Sequence, residues 1–113
     1  MRLTLLFTLL SPLAVAASDR NDRLLTVDNW SEVLVSKNVW VVEYYSNMCG
    51  SCKEFEKTWG KLARSLESEY AIARVSIDSK PGMALAKAQG VLSKGIPAVQ
   101  VSQRKVWIMR WSD

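Results

Sequence analysis

A run of apolar, β-branched and aromatic residues, VWVVEYY at 39–45, constrains the fold of this chain more than any other feature. Such a nearly continuous run is typical of a strand buried on both faces, as in the centre of a parallel sheet. Further along, apolar residues recur at steps of four, three and four, which predicts one side of a helix. These residues are Phe55, Trp59, Leu62 and Leu66. A buried strand followed directly by an amphipathic helix predicts an α/β domain.

The rest of the chain extends this alternation of strands and helices. The other predicted elements are a short strand at 24–27, a helix over 29–36 with Asp28 as its N-cap, a strand at 70–77, a helix that ends at Gly90, and a hairpin of strands 97–101 and 106–109. Strands that alternate with helices imply parallel pairing with right-handed crossovers. The final hairpin adds an antiparallel edge, so the predicted sheet is mixed.

The first residues are typical of a secretory signal peptide. A positive start at Met1-Arg2 precedes an apolar stretch at 3–10, and Ala14-Val15-Ala16 offers a small-x-small cleavage site. A membrane anchor is the alternative, but a spanning helix needs about 20 apolar residues, and this stretch is broken by Pro12. We therefore predict a signal peptide at 1–17, an exported domain at 18–113, and no membrane association after cleavage.

Composition excludes some functions. A length of 113 residues suits one domain. The net charge of +4 is mild, and the basic residues are scattered rather than clustered. This distribution favours an ordinary solvated surface over a nucleic-acid-binding one.

Both cysteines of the chain lie in one short segment, Cys49-Gly50-Ser51-Cys52. A structural zinc site needs four ligands, usually Cys and His, and this chain has two Cys and no His. A structural disulfide stabilises mainly by closing a long loop, and this spacing closes almost none. A reactive redox pair is the third interpretation.

Local physical chemistry favours the redox pair. Cys49 falls at the junction of strand and helix, where unpaired N–H groups and the positive end of the helix dipole favour a thiolate. Lys53 adds a cation one turn further on. Cys52 lies deeper along the helix and can attack a mixed disulfide formed at Cys49. Gly50 permits a tight turn, and Ser51 offers a hydroxyl donor.

The segments VVEYYSNMCGSCK and GIPAVQV, with the order of elements, resemble a thioredoxin-fold domain of the protein disulfide isomerase type over roughly 24–109. The resemblance implies a thioredoxin-like three-layer α/β fold, with a central mixed sheet and flanking helices. It implies thiol–disulfide exchange with cysteine-containing client proteins and a redox partner, with no cofactor beyond the cysteine pair. The family's usual home is the ER lumen. The C-terminus RWSD is not a retention signal, so the periplasm and the extracellular space stay open.

The resemblance also assigns roles to residues outside the cysteine pair. Pro97 matches the family's cis-proline, and the backbone at Ile96 would pair with an extended client segment. The alternative is a trans Pro at the start of an edge strand. Glu43 matches the buried acid that accepts a proton from the second cysteine, although it could instead point outward at a strand end. Arg74 stands where the family has Lys, and it can pair with Glu43 but not relay a proton.

The chain departs from the family at several positions. Met48 replaces the usual Trp before the first cysteine, Gly50-Ser51 replaces Gly-His or Gly-Pro, and Lys57 replaces a helix-kinking Pro. The chain also ends at Asp113, so we expect the family's C-terminal helix to be missing. These departures leave the reduction potential open. They also leave a competing class, a redox-inactive module that binds clients through the same fold.

Overall fold

The structure is a computed structural model that describes residues 23–103. Its elements are α1 (Ser31–Val35), β1 (Trp40–Tyr45), α2 (Gly50–Leu66), β2 (Ala71–Ser76), α3 (Lys80–Ala88), a 3-10 turn (Leu92–Lys94) and β3 (Ala98–Ser102). This order confirms the predicted alternation. Three predictions lie outside the described residues: the signal peptide, the strand at 106–109 and the expected absence of a C-terminal helix.

Within residues 23–103 the sheet has three strands in the order β2-β1-β3. Strand β1 pairs with β2 in parallel and with β3 in antiparallel fashion, which confirms a mixed sheet. The five residues from Trp40 to Tyr44 are all buried. The continuous apolar run therefore takes the central position because helices cover it from both sides.

The predicted strand at 24–27 amounts to one parallel bridge, between Leu24 and Arg74. The backbone N–H of Leu25 donates to the Arg74 carbonyl at 2.9 Å. Strand pairing ends there because the next residues form a turn that is held by side-chain-to-backbone hydrogen bonds. The Thr26 N–H donates to Asn29 Oδ1 at 2.8 Å.

The same turn makes the prediction of Asp28 as N-cap wrong. The Asp28 N–H donates to Thr26 Oγ1 at 3.1 Å, so the backbone is held in a turn at this point. Helix α1 begins only at Ser31, its N-cap is Trp30, and no side chain caps it. Short polar side chains often bond nearby backbone groups in this way and so delay a helix.

The two faces of the sheet carry separate clusters of buried side chains. The face beneath α1 and α3 holds Leu25, Val33, Trp40, Val42, Tyr44, Ala73, Val75, Leu85, Ala86 and Val91. The face beneath α2 holds Val41, Trp59, Ala63 and Ile72, with Phe55, Leu62, Leu66 and Tyr70 packed against them. The predicted apolar side of α2 thus belongs to the core. Because side chains alternate along a strand, Glu43 falls on the α2 face with Val41.

Helix α3 approaches the end of β2 closely. A Cβ atom on Gly82 would overlap the Ser76 carbonyl oxygen, so this contact requires glycine. The Ser79 hydroxyl oxygen caps the helix by accepting the Gly82 N–H at 3.0 Å. Across residues 23–103, none of the helices combines the length and apolar character that crossing a bilayer demands.

Candidate active site

Cys49 is the N-cap residue of α2. Its sulfur accepts the backbone N–H of Cys52 at a distance of 3.0 Å. The sulfur therefore occupies the place where an N-cap oxygen normally satisfies an unpaired N–H group. Both the hydrogen bond and the helix dipole favour a negative charge on this sulfur when it is released as a thiolate.

Cys49 and Cys52 form a disulfide, with 5.2 Å between their Cα atoms. Cys52 is buried, with 5% of its surface exposed, whereas Cys49 is half-buried. An incoming sulfur can therefore reach Cys49 more easily than Cys52.

The loop before β3 faces the pair. The Ile96 carbonyl oxygen lies 4.0 Å from Cys49 Sγ, and the Ile96–Pro97 peptide is cis. Ser51 Oγ lies 3.4 Å from the same sulfur. Met48 is 88% exposed beside it. Cys49 thus lies among an apolar side chain, a hydroxyl and a backbone carbonyl.

Gly50 and Lys53 lie at the exposed start of α2. A Cβ atom on Gly50 would meet nothing within 4 Å, which leaves open space over the first turn. The Lys53 side chain is exposed, and its action as a nearby cation stays a prediction.

Asp78 holds the loop that leads to Cys49. Its two carboxylate oxygens accept the Ser46 hydroxyl at 2.6 Å and the Asn47 N–H at 2.8 Å. The Met48 N–H donates to Ser46 Oγ at 3.0 Å, and the Cys49 N–H donates to the Ser46 carbonyl at 3.2 Å. The hydrogen bonds from Ser46 and Asn47 lower the pKa of Asp78. We call this arrangement the Asp78 clamp.

Sequence reasoning did not single out Asp78 or the two residues that donate to it, Ser46 and Asn47. A signal was nevertheless present. Ser46 follows β1, and Asp78 follows β2 by two positions. The carboxyl ends of neighbouring parallel strands meet at one edge of a sheet, where functional side chains collect.

Glu43 is fully buried on the central strand, so the alternative of an outward-pointing side chain is wrong. It is in register with Arg74 of β2. Arg74 Nε donates to Glu43 Oε1 at 2.8 Å, while Oε2 has no hydrogen-bond partner among the described residues. Burial raises the pKa of Glu43 above its ordinary value, and Arg74 only partly offsets this.

Arg74 contacts two further side chains. Its guanidinium carbon lies 4.0 Å from the centroid of the Tyr45 ring, a cation–π geometry. Its second terminal nitrogen donates to Glu56 Oε2 of α2 at 3.2 Å. Burial disfavours the charged form of Arg74, but Glu43, Tyr45 and Glu56 together outweigh it, so the pKa of Arg74 is raised. Sequence reasoning missed both Tyr45 and Glu56.

Two cysteines with this spacing, at the start of the helix that follows a central strand, are typical of a thioredoxin-like redox motif. The profile of the family described as Thioredoxin matches residues 22–106. The chain belongs to the thioredoxin family.

Known proteins with similar sequences carry a related name. The chain is 31% identical over 83 residues to protein disulfide-isomerase A6 of Mus musculus, and 36% identical over 78 residues to protein disulfide-isomerase 2-3 of Arabidopsis thaliana. The alignments cover 71% and 68% of this chain but only 18% and 17% of those proteins. The chain therefore resembles one part of each relative.

Solved structures share the fold. The Trx4 domain of ERdj5 superposes with a TM-score of 0.65 at 27% identity, over 77% of this chain and 74% of that one. The J-Trx1 fragment of ERdj5 gives a TM-score of 0.67 at 19% identity, over 85% of this chain and 44% of the other. Both confirm the thioredoxin fold.

Proposed function

We propose that this protein exchanges disulfides with cysteine-containing client proteins through its Cys49–Cys52 pair, in the manner of a protein disulfide isomerase. One observation carries the proposal. The half-buried Cys49 sulfur caps the start of α2, and its disulfide partner Cys52 is buried behind it. This arrangement separates an accessible attacking sulfur from a protected resolving sulfur.

The proposed reaction has two steps from the reduced pair. The Cys49 thiolate attacks a client disulfide, the client S–S bond breaks, and one client sulfur leaves as a thiolate that takes a proton. Cys49 is then joined to the client by a mixed disulfide. Cys52 loses its proton and attacks the Cys49 sulfur, which breaks the mixed disulfide and releases the second client sulfur.

The balance of this cycle is a client reduced by two electrons and a Cys49–Cys52 disulfide formed. The reverse sequence oxidises a client dithiol and leaves the pair reduced. A separate dithiol or disulfide redox partner must restore the starting state in either direction. If a client thiol attacks the mixed disulfide before Cys52 does, the client's disulfides are rearranged and no net oxidation occurs.

Glu43 is the proposed proton acceptor for Cys52, with Arg74 as its partner. A carboxyl with a raised pKa is a stronger base than an ordinary one, and a base works best when its pKa approaches the operating pH. Its Oε2 atom, which has no hydrogen-bond partner among residues 23–103, can take a proton. Lys53 and the start of α2 would stabilise the Cys49 thiolate.

The loops around Cys49 are the proposed client-binding surface. The exposed Met48 would supply apolar contact, and Gly50 and Ser51 would leave the sulfur approachable. The backbone at Ile96, next to the cis bond to Pro97, would pair with an extended client segment. An extended segment can satisfy its backbone groups in this way without a specific sequence.

We place this activity in the secretory pathway, with the ER lumen preferred. The signal-peptide pattern at 1–17 supports export, and the ER lumen is the usual home of the family that the chain resembles. No bound cofactor enters the proposed cycle, because the cysteine pair carries both electrons.

The test compares single cysteine variants with the parent in reduction of a disulfide-bonded client and in refolding of a scrambled one. Cys49→Ser should abolish both reactions. Cys52→Ser should accumulate a mixed disulfide that non-reducing electrophoresis detects. If Cys49→Ser kept the parent's rate, the proposed mechanism would be wrong.

A second measurement separates this enzyme from the redox-inactive client-binding module. The pH dependence of Cys49 alkylation gives its thiol pKa. A value clearly below the free value of about 8.5 supports exchange, whereas a value near it supports the binding module.

A further inference from the structure

We propose that Glu56 is a positioning residue for the proposed exchange reaction: it shares the Arg74 guanidinium with the buried Glu43 and so weakens the hold of Arg74 on that acid. This inference rests on the proposed function and names a residue of the same site. It concerns a surface carboxylate on α2 that neither the spacing of the cysteines nor the family resemblance singled out.

The three side chains form a continuous path from the core to solvent. The side chain of Glu43 is 0% exposed, that of Arg74 is 15% exposed, and that of Glu56 is 58% exposed. Arg74 Nε donates to Glu43 at 2.8 Å, and another nitrogen of the same guanidinium donates to Glu56 at 3.2 Å. One cation therefore serves two carboxylates, one buried and one largely in water.

Helix geometry brings this path to the resolving cysteine. Glu56 follows Cys52 by four positions on α2, so the two residues lie on the same side of the helix, one turn apart. Since Glu56 reaches Arg74 and Arg74 reaches Glu43, the side of α2 that carries Cys52 lies over the buried acid. The shared cation therefore contacts α2 on the side that carries Cys52, one helical turn further along.

Arg74 should keep its position without Glu56. Its shorter hydrogen bond goes to Glu43, and its guanidinium packs over the Tyr45 ring at 4.0 Å. An ion pair with a largely exposed partner contributes little to stability. Removing the charge of Glu56 should thus leave Arg74 in place but facing Glu43 alone.

The direction of the change in the Glu43 pKa follows from the sharing of the Arg74 guanidinium between Glu43 and Glu56. With Glu56 present, its negative charge opposes ionisation of Glu43 and adds to the rise in the Glu43 pKa that burial causes. Without that charge, the undivided guanidinium favours the Glu43 carboxylate more strongly, and the pKa of Glu43 falls. Glu43 then becomes a weaker base for Cys52.

One further cation, beside β2, is paired with a residue other than Glu43. Arg23, beside β2, pairs with Glu32 and lies over the Trp40 ring. On β3 the residue in register with Glu43 is Val99, which is apolar. Among the described residues, the charges that act on the Glu43 carboxyl are those of Arg74 and Glu56, and the Tyr45 ring lies beside Arg74.

The direct test is a titration of the Glu43 side-chain carboxyl by carbon NMR in the oxidised protein. Glu56→Gln should shift the midpoint downward by roughly half a pH unit, a part of the effect expected for a neighbouring charge because this one is exposed. Glu54→Gln is the matched control. The Glu54→Gln variant makes the same change in net charge on the same helix, but Glu54 lies about 200° around α2 from Glu56. It should leave the Glu43 midpoint unchanged.

A double variant shows whether Glu56 acts through Arg74. In an Arg74→Gln background, Glu56→Gln should shift the Glu43 midpoint by less than half as much as it does in the parent. An equal shift in both backgrounds would overturn the shared-cation proposal. So would an unchanged midpoint, or an upward one, in the Glu56→Gln single variant.

The kinetic test follows release of a client from its mixed disulfide with Cys49. Glu56→Gln should move the pH midpoint of this Cys52-dependent step downward and slow it by about twofold at neutral pH. The NMR titration needs no exchange activity. If Glu56→Gln shifts the Glu43 midpoint but the protein exchanges no disulfides, the proposed function is wrong and the charge sharing stands. If the protein is active but the midpoint does not shift, only the charge sharing is wrong.

Discussion

The two faces of the central strand differ sharply in what they bury. The face beneath α1 and α3 receives Trp40, Val42 and Tyr44, and the cluster around them is formed from apolar and aromatic residues. The face beneath α2 begins as apolar at Val41 but changes to a charged centre at Glu43. One strand thus carries only apolar and aromatic side chains on one face and a buried charge beside an apolar cluster on the other.

The difference reflects the direction in which β1 runs. Its carboxyl end leads into the loop of Cys49, and Glu43 lies near that end on the face that α2 covers. A buried charge is costly without a partner, so Arg74 accompanies it from β2. The apolar contacts of Trp59 and Ala63 lie further along α2, away from the cysteines.

The largest effect should come from a cavity in the cluster of buried side chains beneath α1 and α3. Leu85 of α3 is 1% exposed within that cluster. Leu85→Ala should lower the free energy of unfolding by about 2–5 kcal/mol, because it removes buried methyl groups and leaves a cavity. Urea denaturation measures the loss. The exchange rate per folded molecule should match the parent's, and a parallel loss of rate would show that the two faces are not separate.

The second-largest effect should come from removing the buried charge on the α2 face of β1. Glu43→Gln removes the proposed base, so release of a client from the mixed disulfide should slow by about tenfold or more at neutral pH. The attack of Cys49 on a client should change less. Stopped-flow measurement of the two steps separates them. If both slowed equally, Glu43 would be supporting the whole site rather than the proton transfer from Cys52.

The pH dependence of stability tests the same acid without any client. The folded-state pKa of Glu43 is raised, mainly by burial. The folded state therefore binds more protons than the unfolded state in the pH range above the ordinary Glu pKa. Its contribution to stability is present below that value and is lost as the pH rises through the folded-state pKa. Denaturation of the oxidised parent and of Glu43→Gln across this range should show a flatter profile for the variant; a steeper one would contradict the shift.

The smallest effect should come from the Asp78 clamp, which lies at the same end of the sheet but on the surface. Asp78→Asn weakens the hold on Ser46 and the Asn47 N–H, so alkylation of reduced Cys49 should change by about threefold. Asp28→Asn, at an exposed site in the turn before α1, is the control. In the parent, the clamp should persist at pH values below the ordinary Asp pKa, because its hydrogen bonds lower the pKa of Asp78. If Asp78→Asn left the alkylation rate of Cys49 unchanged, the loop before Cys49 would keep its conformation without Asp78.

Some parts of the site could be predicted from the sequence because their signals are local. The spacing of Cys49 and Cys52 and the strand before them pointed to a reactive pair at a helix start. The acid at position 43 stood out because it interrupts an apolar run. The cap of α1 could not be predicted as easily, because several short polar side chains in 26–29 compete for the same backbone groups.

The sequence by itself determined the element order, the central place of β1 and the position of the cysteine pair. Hydrophobic period and strand-to-helix junctions are properties of neighbouring residues, so they are visible along the chain. Only the tertiary structure decided which groups surround the pair. The partners Glu43 and Arg74, and Ser46 and Asp78, come from different strand regions and meet because β1 and β2 pair in parallel register. Glu56 joins them because α2 packs back across that same face, which no local pattern records.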